Sequence, residues 1–163
     1  MDNNWLKEDN QIESDFNLQK VLWFSLGNEN YAIIVEHVQT VLDYALITPV
    51  PNTPRFVKGV INLRGTLMPV IDLKDMFQMQ RGEKSDNMMV ILEVATMKVG
   101  IQVDKVNEVL EVDFSKIQPP PPSVSGFGAE YIIGMFKLPS QILIIIDIEK
   151  VIHIAKEMNS KFS

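Results

Sequence analysis

The chain of 163 residues contains no cysteine. That single absence removes disulfides, thiolate nucleophiles and cysteine metal sites together. Histidine is nearly as scarce, with only His37 and His153. Neither has a partner at metal-ligand spacing, and a lone imidazole on such a segment is ordinarily structural or exposed. No basic stripe exists either: the net charge is −6 and the lysines are scattered singly. Phosphate neutralisation needs clustered cations, so nucleic acid is not an expected partner, and an anionic membrane surface is disfavoured for the same reason. Long apolar runs are also missing. No run exceeds that of Ile142 to Ile146, which is far too short to span a bilayer. Met1 to Ser14 is polar, without a basic region leading into an apolar one, so no secretory signal is read and the expected location is the cytoplasm.

What is present is apolar and finely punctuated. The hydrophobic fraction is 46% and the charged fraction 22%, ordinary for a soluble globular chain. Residues 1–16 read as a flexible tail. Lys20 to Leu26 alternates with period two, Gly27 to Asn30 supplies turn formers, and Tyr31 to Val35 is β-prone again, which predicts a hairpin. Val35, Val38, Val41 and Leu42 then fall at helix-like spacing, which suits one or two helical turns or a bulged strand. Three prolines between Thr48 and Pro54 predict a rigid extended loop. Two strands follow, Phe56 to Leu63 and Leu67 to Leu73, joined at Arg64-Gly65-Thr66. Pro69 within the second predicts an edge strand or a bulge. Lys74 to Phe77 suits a helical turn, and Gln80 to Asn87 is a polar linker.

The second half repeats the order of the first. Met88 to Val94 and Val99 to Val103 predict a hairpin. Val106, Val109 and Leu110 again show helix-like spacing. Pro119 to Pro122 suits a polyproline spacer. Tyr131 to Leu138 and Gln141 to Ile146 form a last hairpin, and Asp147 can cap a short helix carrying Ile148, Val151, Ile152 and Ala155. The expectation is an all-β chain of nine or ten strands in two small tandem barrels. Their approximate halves are 17–80 and 86–155, with exchange of strands between halves left open, and 156–163 is a C-terminal tail.

Carboxylates stand at strand ends, as at Asp72, Glu93, Asp104 and Asp147, where they ordinarily cap or meet solvent. Gly126-Phe127-Gly128 lacks the strand, lysine and helix of a phosphate loop. No catalytic residue, metal site or cofactor is therefore assigned, and a non-catalytic binding module is expected.

The segment Asn52 to Leu73, NTPRFVKGVINLRGTLMPVIDL, resembles the hallmark segment of the CheW family of chemotaxis coupling proteins. Phe24 to Gly27 with Tyr31 to Ile33 looks like the family's first hairpin. Val99 to Asp104 with Val106 and Glu108 to Leu110 looks like its second-barrel signature, and Glu130 to Gly134 and Ile146 to Lys150 match its closing segments. The resemblance covers about residues 17–155. It implies two five-stranded SH3-like barrels with a groove between them and a short C-terminal helix. It also implies an adaptor between the regulatory domain of a CheA-type histidine kinase and the cytoplasmic tips of chemoreceptors. The implied receptor surface comprises Val38, Val41, Arg64, Val103, Val106 and Val109. The implied kinase surface comprises Ile47, Val50, Phe56 and Val60. Thr40 stands where several family members carry glutamate, a charge that Glu36 could replace. An unrelated β-barrel that binds a ligand or peptide is the alternative.

Overall fold

The computed structural model describes residues 17–43, 45–79, 88–120 and 129–162. The expected tail of residues 1–16, the linker 80–87, the end of the proline run and the Gly-Phe-Gly segment, 121–128, lie outside them, as does the side chain of Ala155.

Ten strands are present among the described residues. They are β1 (Leu18–Leu26), β2 (Glu29–Ile34), β3 (Val38–Leu42), β4 (Val57–Leu63), β5 (Thr66–Asp72), β6 (Met88–Val94), β7 (Met97–Val103), β8 (Lys105–Asp113), β9 (Ile132–Lys137) and β10 (Ile142–Ile146). One turn of helix, α1 (Leu73–Met76), follows β5, and α2 (Ile148–Phe162) follows β10. Both helices begin at an aspartate. The Asp72 carboxylate accepts from the Lys74 N–H at 2.9 Å and the Asp147 carboxylate from the Lys150 N–H at 3.4 Å, so each satisfies a donor at a helix start. α2 carries its buried Ile148, Val151 and Ile152 inward and continues through 156–162, residues expected to form a tail.

The strands make two five-stranded sheets with the same internal order, β8-β1-β2-β10-β9 and β3-β6-β7-β5-β4. Each is an SH3-like barrel. The first takes its leading hairpin, β1–β2, from the N-terminal half and its other three strands from the C-terminal half; the second does the reverse. The two halves have therefore exchanged hairpins. Each barrel closes by one bridge from the chain beyond its edge strand. Past β3, Thr48 exchanges two backbone hydrogen bonds with Val60 of β4, at 2.8 and 2.9 Å. Past β8, Gln118 does the same with Met135 of β9, at 2.9 and 2.8 Å. A glycine permits each closure. A Cβ on Gly59 would stand closer than 3.0 Å to the Thr48 carbonyl, and one on Gly134 equally close to the Gln118 carbonyl oxygen and Ile117. Gly59 also holds φ at +147°, where side chains are rarely tolerated.

Pro69 lies in β5, which is interior rather than an edge: β4 flanks it on one side and β7 on the other. The proline is tolerated because parallel pairing with β7 begins only at Val70, so its missing N–H costs no ladder bond on that side.

One large apolar cluster serves both barrels. Phe24, Leu26, Tyr31 and Ile33 of the first pack in it with Ile71, Val90, Leu92 and Ile101 of the second. Aromatic rings run through it in sequence, Phe24 on Tyr31, Tyr31 on Phe77, and Phe77 on Tyr131, with centroids 5.8–6.3 Å apart. Two satellite clusters fill the separate interiors, one around Val21, Ala32 and Ile145 and one around Ile61, Met68 and Ile91. No helix of the described residues is long and apolar enough to cross a membrane.

Candidate functional site

The helix-like valine stretches resolve into strands with bulges. Val35–His37 is a single 3-10 turn, and Val38–Leu42 is strand β3. In β3, Val38 lies opposite Leu92 and Val41 opposite Val90, with the register slipping by one residue between Val38 and Thr40. In β8, Val109 lies opposite Leu22 and Val106 opposite Phe24, again with a one-residue slip. An extra residue turns the strand period of two into a spacing of three. The two valines of each strand thus share a face although they are three apart. Leu22, Phe24, Val90 and Leu92 all belong to the shared cluster, so the two edge strands present their valines from different barrels over one core. Val38, Val41 and Val106 pack partly against it, and Val109 is 49% exposed.

Val103, expected on the same surface, belongs to the interior. It is 1% exposed at the end of β7, on the inward side of the alternation, and no partner reaches it without rearrangement.

Arg64 sits at the two-residue turn between β4 and β5, with φ at +53° and Gly65 at +84°. The Asn62 carboxamide oxygen accepts from the Gly65 N–H at 2.9 Å and holds the turn. Asparagine or glycine is the favoured residue at Arg64's position, because positive φ sets a Cβ against the backbone carbonyl, a cost glycine escapes and the asparagine amide offsets by local hydrogen bonding. The guanidinium makes no ion pair or hydrogen bond among the described residues. It lines instead a depression of about 510 Å³ whose wall includes Gln39 and Thr40 of β3, Thr66, Met68 and Lys98. The structure therefore brings Arg64 beside the strand that carries Val38 and Val41. Glu36 does not enter this wall; its carboxylate lies 3.8 Å from the imidazole of His37, its own neighbour. If Arg64 serves a partner rather than its hairpin, Arg64→Asn should raise stability by about 0.5–1 kcal/mol through relief at positive φ. Thermal unfolding reads this directly, and a marked loss of stability would make Arg64 a structural residue.

The expected kinase-facing residues divide. Val50 and Val60 are half-buried. Ile47 and Phe56 are half-buried too, but Ile47 packs on the second barrel's interior cluster and Phe56 on the shared core. Two leucines not singled out from sequence are far more open: Leu46 is 75% and Leu67 69% exposed. Leu67 pairs with Asn62 on β4, two residues along from Val60, and Leu46 lies two residues before Thr48, which bridges Val60. Strand alternation puts all three on the outer face of the second barrel. Sequence carries no clear sign of this. Ala45-Leu46-Ile47 reads as a uniform apolar run until Ile47 is seen to turn inward.

Several charged groups away from these surfaces are spent on the fold. Lys58 reaches Asp75 and stands 3.6 Å from Asp72. Lys74 pairs with Asp104 at 2.6 Å, both side chains largely buried. The Asp104 carboxylate also accepts from the Gly27 N–H at 2.6 Å, and the Asp104 N–H donates to the Ser25 carbonyl at 3.1 Å. Asp104 lies where the chain leaves β7 of one barrel for β8 of the other, so this node joins α1, the β1–β2 turn and the crossover. His153 lies 3.3 Å from Glu157 on the exposed side of α2. The Tyr31 phenol donates to Glu29 at 2.6 Å. Burial first, and the neighbouring Glu29 carboxylate second, push its pKa well above the ordinary phenol value, so it remains a neutral donor. Among the described residues no three His, Asp or Glu side chains are grouped to hold a metal ion.

Comparison with known proteins agrees with the fold. The CheW-like domain family model matches residues 20–156. The chain is 41% identical over 135 residues to the chemotaxis protein CheW of Klebsiella aerogenes, covering 82% of this chain and 81% of that one. It is 34% identical to the chemotaxis protein CheW of Treponema pallidum over 80% of both. The crystal structure of the scaffolding protein TtCheW from Thermoanaerobacter tengcongensis superposes with a TM-score of 0.71 at 39% identity, over 78% of this chain and 88% of that one. With exchanged barrels, a family match across nearly all the described residues and this level of identity, the chain belongs to the CheW family of chemotaxis scaffold proteins.

Proposed function

We propose that the chain is a non-catalytic cytoplasmic adaptor that couples chemoreceptor tips to a CheA-type histidine kinase. The observation that carries the reading is that one chain of this scaffold family exposes two separate apolar surfaces. An adaptor needs two, one for each partner. The outer face of the second barrel, with Leu46, Val60, Leu67 and Val50, suits the kinase's regulatory domain. The valine strands β3 and β8, with Arg64 beside β3, suit a helical tip, whose apolar stripe needs a matching apolar strip to dock on. Val38, Val41, Val106 and Val109 supply that strip.

Amide NMR titrations of the isotope-labelled chain test both assignments. Addition of the kinase regulatory domain is expected to move residues around Leu46, Val60 and Leu67. Addition of the receptor tip is expected to move β3, β8 and Arg64. Val109→Asp places a charge on the second surface without entering the core, and should weaken tip binding by about tenfold or more while kinase binding is unchanged. A folded chain whose amides respond to neither partner would end the adaptor reading.

A further inference from the structure

The depression beside Arg64 has a charge pattern at odds with the rest of the molecule. The chain carries net charge −6, yet this wall contains two cations and no acid. Arg64 enters from the β4–β5 turn and Lys98 from β7, with the Gln39 amide and the Thr40 and Thr66 hydroxyls between them. Apolar groups of Met68, Leu42 and Leu63 floor it. Glu93 lies directly opposite Lys98 in the β6–β7 ladder, but it accepts from Gln39 at 3.3 Å, forms no ion pair with Lys98 and does not line the depression. Neither cation has an ion-pair partner among the described residues.

We propose that this depression receives an acidic side chain, glutamate or aspartate, from the helical partner that lies along β3. The inference rests on the adaptor reading and carries its tip-binding surface around the open edge of β3, because Thr40 pairs with Ile91 and faces the side of the strand opposite Val38 and Val41. A guanidinium and an ammonium converge with hydroxyl and amide donors on a space that offers a carboxylate bonds on several sides. The apolar floor admits the methylene stem. The arginine fits as well: at positive φ glycine or asparagine would suit the turn better, and the guanidinium is what the turn gains by the exception. Thr40 is central to the design. A carboxylate at that position would occupy the depression from within. Threonine leaves it open and adds a donor, so the negative charge must come from the partner.

The experiment uses the full chain and the cytoplasmic tip fragment of a chemoreceptor from the same organism. Each Glu and Asp of the tip is changed singly to Gln or Asn, and affinity is measured by calorimetry against the wild-type chain, Lys98→Gln and Thr40→Glu. Position 40 is exposed and Lys98 partly so, and neither change enters the core. One acid-to-amide change in the tip is expected to weaken binding to the wild-type chain about tenfold, and to have little further effect on Lys98→Gln. Thr40→Glu should weaken binding to a similar extent and flatten its dependence on salt, because the site is then filled internally. Tip binding that persists with no acid coupled to Lys98, and with Thr40→Glu unaffected, overturns the acid site and leaves the adaptor reading standing. A folded chain that does not bind the tip at all overturns both.

Discussion

Gly59→Ala is expected to destabilise the protein by about 3–5 kcal/mol, enough to consume much of the stability of a domain this size. Two effects add. Holding a non-glycine residue at φ +147° costs about 1–3 kcal/mol. A Cβ there would also collide with the Thr48 carbonyl and Pro49 backbone, none of it the end of a flexible side chain, so the chain must move. Movement breaks the paired Thr48–Val60 hydrogen bonds, each worth about 0.5–1.5 kcal/mol, and opens the second barrel. Urea titration of Gly59→Ala against wild type measures the loss. Gly65→Ala is the internal comparison: its Cβ meets nothing within 4 Å, so only backbone strain remains and the loss should be smaller. Equal stability of Gly59→Ala and wild type would mean that Thr48 does not close the barrel in solution.

Asp104→Asn should be the second most damaging change, at about 3–5 kcal/mol. It leaves the Lys74 ammonium, 7% exposed, without its counter-charge. Lys74→Met alone leaves the reverse problem, an unpaired carboxylate that still holds the Gly27 N–H. The double variant Lys74→Met with Asp104→Asn removes both charges, and should recover most of the loss, because replacing a buried pair is far milder than halving it. The double-mutant cycle from chemical denaturation separates these terms. Additive losses would show that the two side chains do not interact across the crossover.

These two sites lie where sequence pattern is least informative. The strands themselves were legible: alternation in Lys20 to Leu26 puts Leu22, Phe24 and Leu26 on one face, and all three are buried. What alternation cannot encode is the identity of the neighbouring strand. The leading hairpins look continuous with the strands that follow them, yet they pair with those of the opposite half. The valine stretches were ambiguous for a related reason. A bulge spaces inward residues three apart, and at that spacing a strand imitates a helical turn. Val103 was assigned to the surface from its resemblance to a family pattern, but its inward position on β7 makes it core. Arg64 was assigned from its resemblance to the family's turn arginine, and the structure sets it at that turn with positive φ. Lys98 was silent, since only the pairing of β7 alongside β5 brings it to the same depression. Leu46 and Leu67 were missed because an apolar residue in a β-rich chain reads first as core.

The exchange of hairpins also dictates an order of events on the ribosome. The second barrel is complete once β7 emerges, since its five strands run from β3 to β7 without interruption. The first barrel cannot close until β10 has been made, although its own β1 and β2 are synthesised first. For most of translation, then, the oldest part of the nascent chain is an orphan ribbon, with both edges open and Phe24, Leu26 and Ile33 uncovered except where the finished barrel shields them. Such a ribbon is the species on which chaperones or a neighbouring nascent chain would act. Slowing elongation after β7 should therefore lower the yield of folded protein more than an equal delay after β10, when the ribbon has its partners.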